Sequence, residues 1–463
     1  MPRYLDKNNF FIVIFVGWLS LWLSLGVLPN NLNYSFNKTD VVNFFRVYTP
    51  LFFSFFFLLI LSIKYFKFKI NYKKKFTITN LFIIYFLFQV IGLYQNNLVE
   101  FNIQNLYLVI LGFTLIEIII LNQFLDTNKN LKYLLYSGLI MCILSSSYFL
   151  ILSFTGHTPN SFYEIFQITL RSVYDNNLDQ KFFLESILPR STGISRTFGL
   201  INILIIVYLI FSKKKYMHLL YILSIIYTSL IWLLQSRGSI LIFFLTTILI
   251  ICLTKKFNLK KKLLVLFYLL LLPVILSEIF LFLGRNIYFS DVNKDLISTS
   301  RTISDNITAN RIINDNTTSG RIEIWNESLK KFDKNKIFGY GPQGDRFVLS
   351  KSEVVKKFYN NSSNALIYSF LSGGYFGISA MILIYLNVLL KIYICLKNIR
   401  IFNNNNEITL KISVCYIMFF TVRSLFENSF SVFSIDFILF FLSGAYIENY
   451  LKKITTYKLK VLK

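Results

Sequence analysis

Arginine is the residue type whose placement in this sequence indicates chemistry. The chain has 463 residues and carries 48 lysine and arginine residues, of which 13 are arginine. Only Arg3 and Arg400 lie in the lysine-rich loops that join the apolar runs. The alternate set of loops holds only ten of the 35 lysines. The other eleven arginines lie in these loops or at their edges: Arg46, Arg171, Arg190, Arg196, Arg237, Arg285, Arg301, Arg311, Arg321, Arg346 and Arg423. Because the sequence otherwise favours lysine, this segregation indicates that the arginines have a function in these loops.

Anion binding is the chemistry that such a set favours. A guanidinium group binds phosphate through two parallel hydrogen bonds and keeps its charge when partly desolvated, whereas the lysine ammonium is a flexible, strongly hydrated point charge. Arginines at the mouth of a membrane cavity therefore suit a pyrophosphate or another polyanion. The alternative is that they pair with carboxylates of the same loops and only hold those loops together: Glu185, Glu323, Glu327 and Asp345.

Three carboxylates fall inside or beside apolar runs: Glu117, Glu278 and Asp436. A charged group at membrane depth is costly and often functional. Glu278 and Asp436 could line a cavity, or they could form hydrogen bonds between helices in their protonated state. Arg423 and Glu427 are four residues apart, and this spacing predicts an ion pair between them.

Several classes of site have no support in the sequence. The two histidines, His157 and His218, are far apart, and there is no Gly-rich loop of the P-loop or dinucleotide type. The four cysteines lie in apolar runs without metal-ligand spacing: Cys142, Cys252, Cys395 and Cys415. The net charge of +25 comes largely from lysines in short loops, as in membrane proteins, rather than from a nucleic-acid surface. We therefore expect no metal, no cofactor and no nucleic-acid partner.

Apolar helices must position the arginines. The chain is 55% hydrophobic, its mean hydropathy is +0.56, and apolar runs of about twenty residues, enough to cross a bilayer, recur along it. We predict an all-α polytopic integral membrane protein with about twelve transmembrane helices. Residues 1–284 would carry nine helices, 285–372 would form a large, partly helical outer loop, and 373–463 would carry three helices.

The lysine-rich loops set the predicted orientation. They alternate with lysine-poor loops, and lysine-rich short loops stay in the cytoplasm. Both termini are therefore expected in the cytoplasm, with the long loop outside. No internal repeat is evident, and this argues against a transporter built from inverted repeats.

The long loop contains the stretch SGRIEIWNESLKKF, from Ser319 to Phe332. Its spacing predicts a short amphipathic helix lying across the outer membrane surface. Glu327 and Lys331 would pair on one face, and the apolar face would be formed by Ile322, Trp325, Leu329 and Phe332. The glycine-rich GYGPQGD, from Gly339 to Asp345, predicts a flexible turn.

Four motifs resemble those of the O-antigen ligase and O-antigen polymerase superfamily. SGRIEIWNESLKKFDKNKIFGYGPQGDRF, from Ser319, resembles its large periplasmic loop, and NSSNALIYSFLSGGYFG, from Asn361, resembles the segment that follows. SRGSILIF, from Ser236, matches the family's Ser-Arg-Gly at the outer end of a span. RSTGISRTFGLIN, from Arg190, is similar to its Arg-x-x-Gly element. The order of the four elements also agrees with the family.

The resemblance implies a metal-independent, inverting glycosyltransferase of the GT-C type in the bacterial inner membrane, with a periplasmic active site. Its donor would be a glycan on undecaprenyl pyrophosphate, and its acceptor a second lipid-linked glycan. The pyrophosphate would be held by Arg237, by Arg321 and by either Arg190 or Arg196. The last two stay alternatives because both fit the Arg-x-x-Gly element, with Gly as the third residue after each arginine. A chain-length regulator is an expected partner besides the lipid bilayer.

One departure from the family pattern bears on the reaction. Where ligases have His before Asn, this chain has Ser363 before Asn364, and we therefore favour a polymerase of O-antigen, capsule or exopolysaccharide. A base for the acceptor hydroxyl would then be Asp345 or Glu323; otherwise the proton leaves late, to water, and Asn364 and the arginines position the reactants. Asn364 could instead only cap a helix. The rival functions are a ligase acting on lipid A–core or another acceptor, and a flippase for lipid-linked oligosaccharide.

Overall fold

The computed structural model describes the larger part of the chain. The described residues are 78–95, 128–154, 191–211, 217–233, 237–254, 257–279, 321–332, 337–342, 344–350, 362, 364–397, 408–427 and 435–461, with 13, 14, 16, 17, 20 and 52. Every regular element within these ranges is helical, in agreement with the predicted all-α class. Glu117 and the expected spans near 47–66 and 105–124 lie largely or wholly outside the described residues.

The helices within these ranges are numbered in chain order. They are α1 (Ile78–Gln95), α2 (Asn128–Phe154), α3 (Ser191–Phe211), α4 (Met217–Leu233), α5 (Arg237–Leu253), α6 (Leu259–Ile279), α7 (Arg321–Lys330), α8 (Gly344–Ser350), α9 (Ala365–Lys397), α10 (Ile408–Ser424) and α11 (Ile435–Val461).

Three of the described helices are long and apolar enough to cross a membrane. They are α3 over Ile194–Phe211, α6, and α9 over Ala365–Leu396. Shorter apolar helices occur in α1, α2, α4 and α5. Leucines that a soluble protein would bury are exposed on α6 and α9, among them Leu271 and Leu386. The chain is therefore a helical membrane protein, while the number of twelve spans stays a prediction.

The helix at the centre of the bundle is α10. It packs against α3, α5, α9 and α11, and nearly all its side chains from Thr409 to Ser424 are buried. Its apolar residues are spread around the helix rather than confined to one face, and such a helix belongs inside a fold. The Lys411 Nζ atom lies 4.5 Å from the centre of the Phe211 ring, a cation–π contact within the bundle. The last turn of α10 contains Arg423, which is thereby held inside the protein.

A proline in α6 explains a polar link between α4 and α6. Pro273 has no N–H, so the carbonyl of Leu269, four residues earlier, lacks its usual helical donor. Thr228 on α4 supplies a partial replacement: its hydroxyl proton is shared between the Leu269 oxygen, 3.1 Å from Oγ1, and the Ser224 oxygen of its own helix, 2.8 Å away. The residues Phe267–Leu271 are wound as a π-helix, a common adjustment where a helix is interrupted. The two helices are thus joined by a hydrogen bond as well as by apolar packing.

Glycines seat the turn before α8 on α9. Gly339, Gly341 and Gly374 have φ of 72°, 87° and 64°, values that side chains disfavour. The helix α9 is kinked at Gly374, and a Cβ there would overlap the carbonyl oxygen of Ile337. The N–H of Gly341 donates to the Ser372 oxygen at 2.9 Å. The turn that precedes α8 therefore packs directly against the kink, which only glycine permits.

The helix α7 forms within the predicted stretch and packs on α8 through another face. Ile322 and Leu329, which belong to the predicted apolar face, are 47% and 53% exposed. Ile324 and Ser328 are buried, and Ile324 packs with Leu349 of α8. The sequence pattern does not reveal this contact between α7 and α8.

Phe332, just after α7, is buried. Its ring stacks on that of Phe370 with centroids 3.9 Å apart, and Tyr340 packs in the same cluster. On the outer side of α7, Glu327 lies 3.6 Å from Lys330. The end of α7 is thus fastened to α9, and the position of α7 at a membrane surface stays a prediction.

Candidate active site

Charged side chains from five elements meet at one end of the bundle. They come from the second turn of α3, from the first turns of α7 and α11, from the last turn of α10 and from the turn after α10. The set is referred to below as the arginine end and comprises Arg196, Arg321, Arg423, Glu427 and Asp436. Helix termini bring these residues together although they are far apart in sequence.

Asp436 lies between two arginines. Its Oδ2 accepts a hydrogen bond from Arg423 Nε at 2.9 Å, and its Oδ1 lies 3.4 Å from Arg196 Nε. The three side chains are 2%, 5% and 10% exposed for Asp436, Arg423 and Arg196. A buried carboxylate is stable only when paired, and this one joins α3, α10 and α11. Arg423 also reaches α5, because its Nη1 donates to Ser239 Oγ at 3.3 Å.

A second ion pair lies nearer the surface. Arg321 Nη2 donates to Glu427 Oε1 at 3.0 Å, and the two side chains are 26% and 25% exposed. A Cβ added to Gly238 would lie 3.6 Å from that nitrogen and 3.7 Å from that oxygen. The start of α5, which carries the Ser-Arg-Gly motif, therefore touches both the buried pair and the exposed one.

The expected ion pair between Arg423 and Glu427 is wrong. Arg423 bonds Asp436, and Glu427 bonds Arg321. The spacing along one helix predicted the pair of Arg423 and Glu427. However, α10 ends at Ser424, so Glu427 lies on the following turn. Arg423 points into the bundle, where a carboxylate interacts more strongly than at the surface because the dielectric constant is lower.

Three arginines and two carboxylates make up the arginine end, so among these five side chains one positive charge is in excess. The guanidinium groups of Arg196 and Arg423 are pinned by Asp436, and burial limits the rotamers that they can adopt. Arginines held in this way lose little freedom when an anion binds. The arrangement is suited to binding an anion next to α5 and α7.

Asn364 connects the arginine end to α9. Its Oδ1 accepts the N–H groups of Leu366 at 2.8 Å and Ile367 at 3.2 Å, so the side chain caps α9. Its Nδ2 donates to the Leu425 oxygen at 2.9 Å. The structure thus gives Asn364 the capping role considered as the alternative, and in addition makes it hold the turn that carries Glu427.

Asp345 is fully buried behind this region. It is 0% exposed, and its Oδ2 accepts hydrogen bonds from the N–H and the Oγ of Ser362, both at 3.0 Å. The Ser362 carbonyl in turn accepts the Trp325 Nε1–H at 2.9 Å. Asp345 therefore links α8 to the segment before α9 and to α7. Glu323 lies on α7, two residues after Arg321, and is partly buried.

The structure describes some of the site residues predicted from the sequence and not others. Arg196 and Arg321 are both in the arginine end. Arg190 and Ser363 lie outside the described residues, and Arg237 begins α5 but its side chain is not described. Glu278, another of the three acids expected at membrane depth, accepts the Trp232 Nε1–H at 2.7 Å.

Sequence reasoning missed the connection between Asp436 and the arginines, and it missed Glu427 as a site residue. The sequence did contain one indication of this connection. Arg196, Arg423 and Asp436 all lie at ends of apolar runs, and these ends are predicted on the same side of the membrane. In the part of the chain that the structure describes, no group of three or more His, Cys, Asp or Glu side chains is placed to hold a metal ion.

Part of the chain matches a known protein family. Residues 219–382 match the family model described as O-antigen ligase. The matched segment runs from α4 into α9 and includes the start of α5, α7, α8 and Asn364, which are elements of the site. Neither a curated protein nor a solved structure matches the chain. Over residues 219–382, the chain is similar to the O-antigen ligase family, and this match supports the resemblance to the O-antigen ligase and O-antigen polymerase superfamily.

Proposed function

We propose that this membrane protein polymerises a bacterial surface polysaccharide: O-antigen, capsule or exopolysaccharide. It would transfer a glycan from undecaprenyl pyrophosphate to a second lipid-linked repeat unit at the periplasmic face of the inner membrane. The product would be a longer glycan on one lipid carrier and free undecaprenyl pyrophosphate. The transfer would invert the anomeric centre in a single displacement on a GT-C-type scaffold, without a metal ion.

The arginine end is the observation that supports this proposal most. It brings three arginines to one end of the bundle, where a lipid-linked donor would present its pyrophosphate. When the glycosidic bond breaks, negative charge grows on the pyrophosphate, and preorganised cations stabilise that charge. In the proposal Arg196 and Arg321 make this contact, with Arg237 from the start of α5 and, as the alternative to Arg196, Arg190.

The acceptor hydroxyl must also be oriented and lose its proton. Asn364 holds the turn that carries Glu427 and would fix the reactants relative to the arginines. Glu323 and Asp345 were the sequence candidates for the base. Of the two, Glu323 has the more accessible position, because it is only partly buried whereas Asp345 is 0% exposed.

A ligase that passes the glycan to lipid A–core or another acceptor is the second candidate, favoured by the description of the matching family. Ser363 argues for the polymerase, since ligases of the superfamily carry His at this place in the motif. The two activities share the donor site and differ in the acceptor.

The experiment offers both acceptors to the purified protein in lipid nanodiscs. The protein is incubated with undecaprenyl-pyrophosphate oligosaccharide alone or together with lipid A–core, and the products are separated by length. The proposal predicts a ladder of lipid-linked repeats without lipid A–core, unaffected by EDTA. Transfer only to lipid A–core would establish the ligase instead. Movement of unchanged oligosaccharide across a liposome membrane, with no new glycosidic bond, would establish a flippase.

A further inference from the structure

Glu427 is a carboxylate of the arginine end that the sequence alone did not place in the reaction. We propose that it accepts the proton of the acceptor hydroxyl, after the donor's pyrophosphate has replaced it as the partner of Arg321. This inference rests on the proposed function and names the base for it. The observation that motivates it is the contact of 3.0 Å between Arg321 Nη2 and Glu427 Oε1.

Backbone contacts hold Glu427 firmly. Its N–H donates to the Arg423 oxygen at 2.9 Å, which continues the end of α10. Asn364 Nδ2 donates to the oxygen of Leu425, two residues earlier, at 2.9 Å. The turn is therefore attached both to the central helix and to the cap of α9. A carboxylate on such a turn can change partners by rotating its side chain while its backbone stays in place.

Glu427 also lies where a group that contacts both the donor and the acceptor is expected. Its Oε1 lies beside Gly238, at 3.7 Å from where a Cβ would be, so it faces the start of α5. It contacts α7 through Arg321 and has 25% of its side chain exposed. An acceptor sugar approaching the arginine end from outside can thus reach this carboxylate.

The ion pair of Glu427 can be exchanged, whereas that of Asp436 cannot. A partly exposed pair contributes little to stability because water competes for both groups. Pyrophosphate carries more negative charge than a carboxylate and can bind a guanidinium through two hydrogen bonds. Asp436 is 2% exposed and holds Arg423 and Arg196 together, so its removal from them would leave buried charges unpaired. Of these two carboxylates, Glu427 is the one that the donor can displace.

The proposed step forms one bond, breaks one bond and moves one proton. The acceptor hydroxyl oxygen forms a bond to the anomeric carbon, and the bond from that carbon to the phosphate oxygen breaks. Its electron pair goes to the pyrophosphate, whose new charge Arg321 stabilises. The hydroxyl proton goes to the Glu427 carboxylate and afterwards to water, which restores the carboxylate and lets it return to Arg321 when undecaprenyl pyrophosphate leaves.

The first test measures donor binding and single-turnover transfer separately in Glu427→Gln. Glutamine keeps the size of the side chain but loses the negative charge and the basicity. We expect the variant to bind undecaprenyl-pyrophosphate oligosaccharide at least as tightly as the wild type, because the competing anion is gone. Its transfer rate should fall by roughly two to four orders of magnitude. The matched control is Glu327→Gln on α7, a carboxylate paired with Lys330, which should transfer at the wild-type rate.

The second test covers the case in which Glu427→Gln does not fold. Formate is added to Glu427→Ala, where a small carboxylate can occupy the vacated space. The proposal predicts that formate raises the transfer rate of this variant and leaves that of the wild type unchanged. A folded, donor-binding Gln variant that transfers within a few-fold of the wild type, or an Ala variant that formate does not rescue, would contradict the role of Glu427. If the wild type itself does not bind the donor, the proposed function fails instead.

Discussion

Arg321 and Glu427 are 106 positions apart in the sequence, yet the Nη2 atom of the first lies 3.0 Å from the Oε1 atom of the second. This contact joins α7 to the turn after the central helix α10. It also lies against Gly238 at the start of α5. The helix α7 is therefore attached beside the buried arginines, and Arg321, its first residue, completes their cluster.

Asp436 should be essential for stability. In Asp436→Asn the buried Arg196 and Arg423 lose their shared counter-charge. Breaking a buried pair on one side typically costs about 3–5 kcal/mol, so we expect a markedly lower unfolding temperature in detergent micelles. As the control, Glu327→Gln breaks a pair whose lysine is 74% exposed and should change stability by only about 0–1 kcal/mol. Equal unfolding temperatures for both variants would show that the buried network is unimportant.

The kink in α9 gives a prediction with a neighbouring control. Gly374 has φ of 64° and ψ of −154°, a region open in practice only to glycine, and forcing another residue into it costs about 1–3 kcal/mol before any clash. Gly374→Ala should therefore lower the unfolding temperature and displace the turn at Gly339. At Gly373 an added Cβ would meet nothing closer than 3.6 Å, so Gly373→Ala should behave almost as the wild type. A Gly374→Ala protein as stable as Gly373→Ala would contradict the described kink.

Asp345 should act through Ser362. Asp345→Asn and Ser362→Ala each remove part of one buried hydrogen-bonded contact, and a lost buried partner costs about 1–3 kcal/mol. Because both changes affect the same contact, the double variant should be less destabilised than the sum of the single variants. Thermal unfolding of the four proteins measures this coupling. A normal unfolding temperature in Asp345→Asn, together with a transfer rate lowered by roughly two to four orders of magnitude, would show instead that Asp345 is the base.

The orientation can be tested by cysteine labelling. Ser304→Cys lies in the loop predicted outside, and Asn404→Cys in a loop predicted in the cytoplasm. With the four native cysteines replaced by alanine, a membrane-impermeant thiol reagent should label the first variant in cells whose inner membrane is intact. The second should react only after that membrane is permeabilised. The reverse pattern would place the arginine end in the cytoplasm and overturn the periplasmic assignment.

The membrane class and the helical elements were accessible from the sequence because they depend on local hydrophobicity. The long apolar run that contains α3 and the helix at Arg321 are examples. The capping function of Asn364 was also considered, since Asn is a preferred residue at helix starts. These features need only neighbouring residues, and a single sequence contains that information.

The pairing of charges was not accessible, because it depends on which helix ends meet. Spacing predicted Arg423 with Glu427, whereas α10 ends between them and each finds a partner on another element. The packing of α7 on α8 through Ile324 was not accessible for the same reason. Glu427 could be recognised as a site residue only after Arg321 had been placed beside it.

The most direct measurement is the affinity for undecaprenyl-pyrophosphate oligosaccharide of the wild type, Arg321→Lys and Arg400→Lys in nanodiscs. Lysine keeps the charge at 321 but cannot make the planar two-point contact. Losing one charge-assisted hydrogen bond is worth about 1.5–3 kcal/mol, or roughly ten- to a hundredfold. We predict that Arg321→Lys binds the donor weaker by this factor and elongates it correspondingly less, and that Arg237→Lys behaves alike. Arg400→Lys, in a loop predicted at the opposite face, should match the wild type. Wild-type donor affinity in Arg321→Lys would contradict pyrophosphate binding by the arginine end.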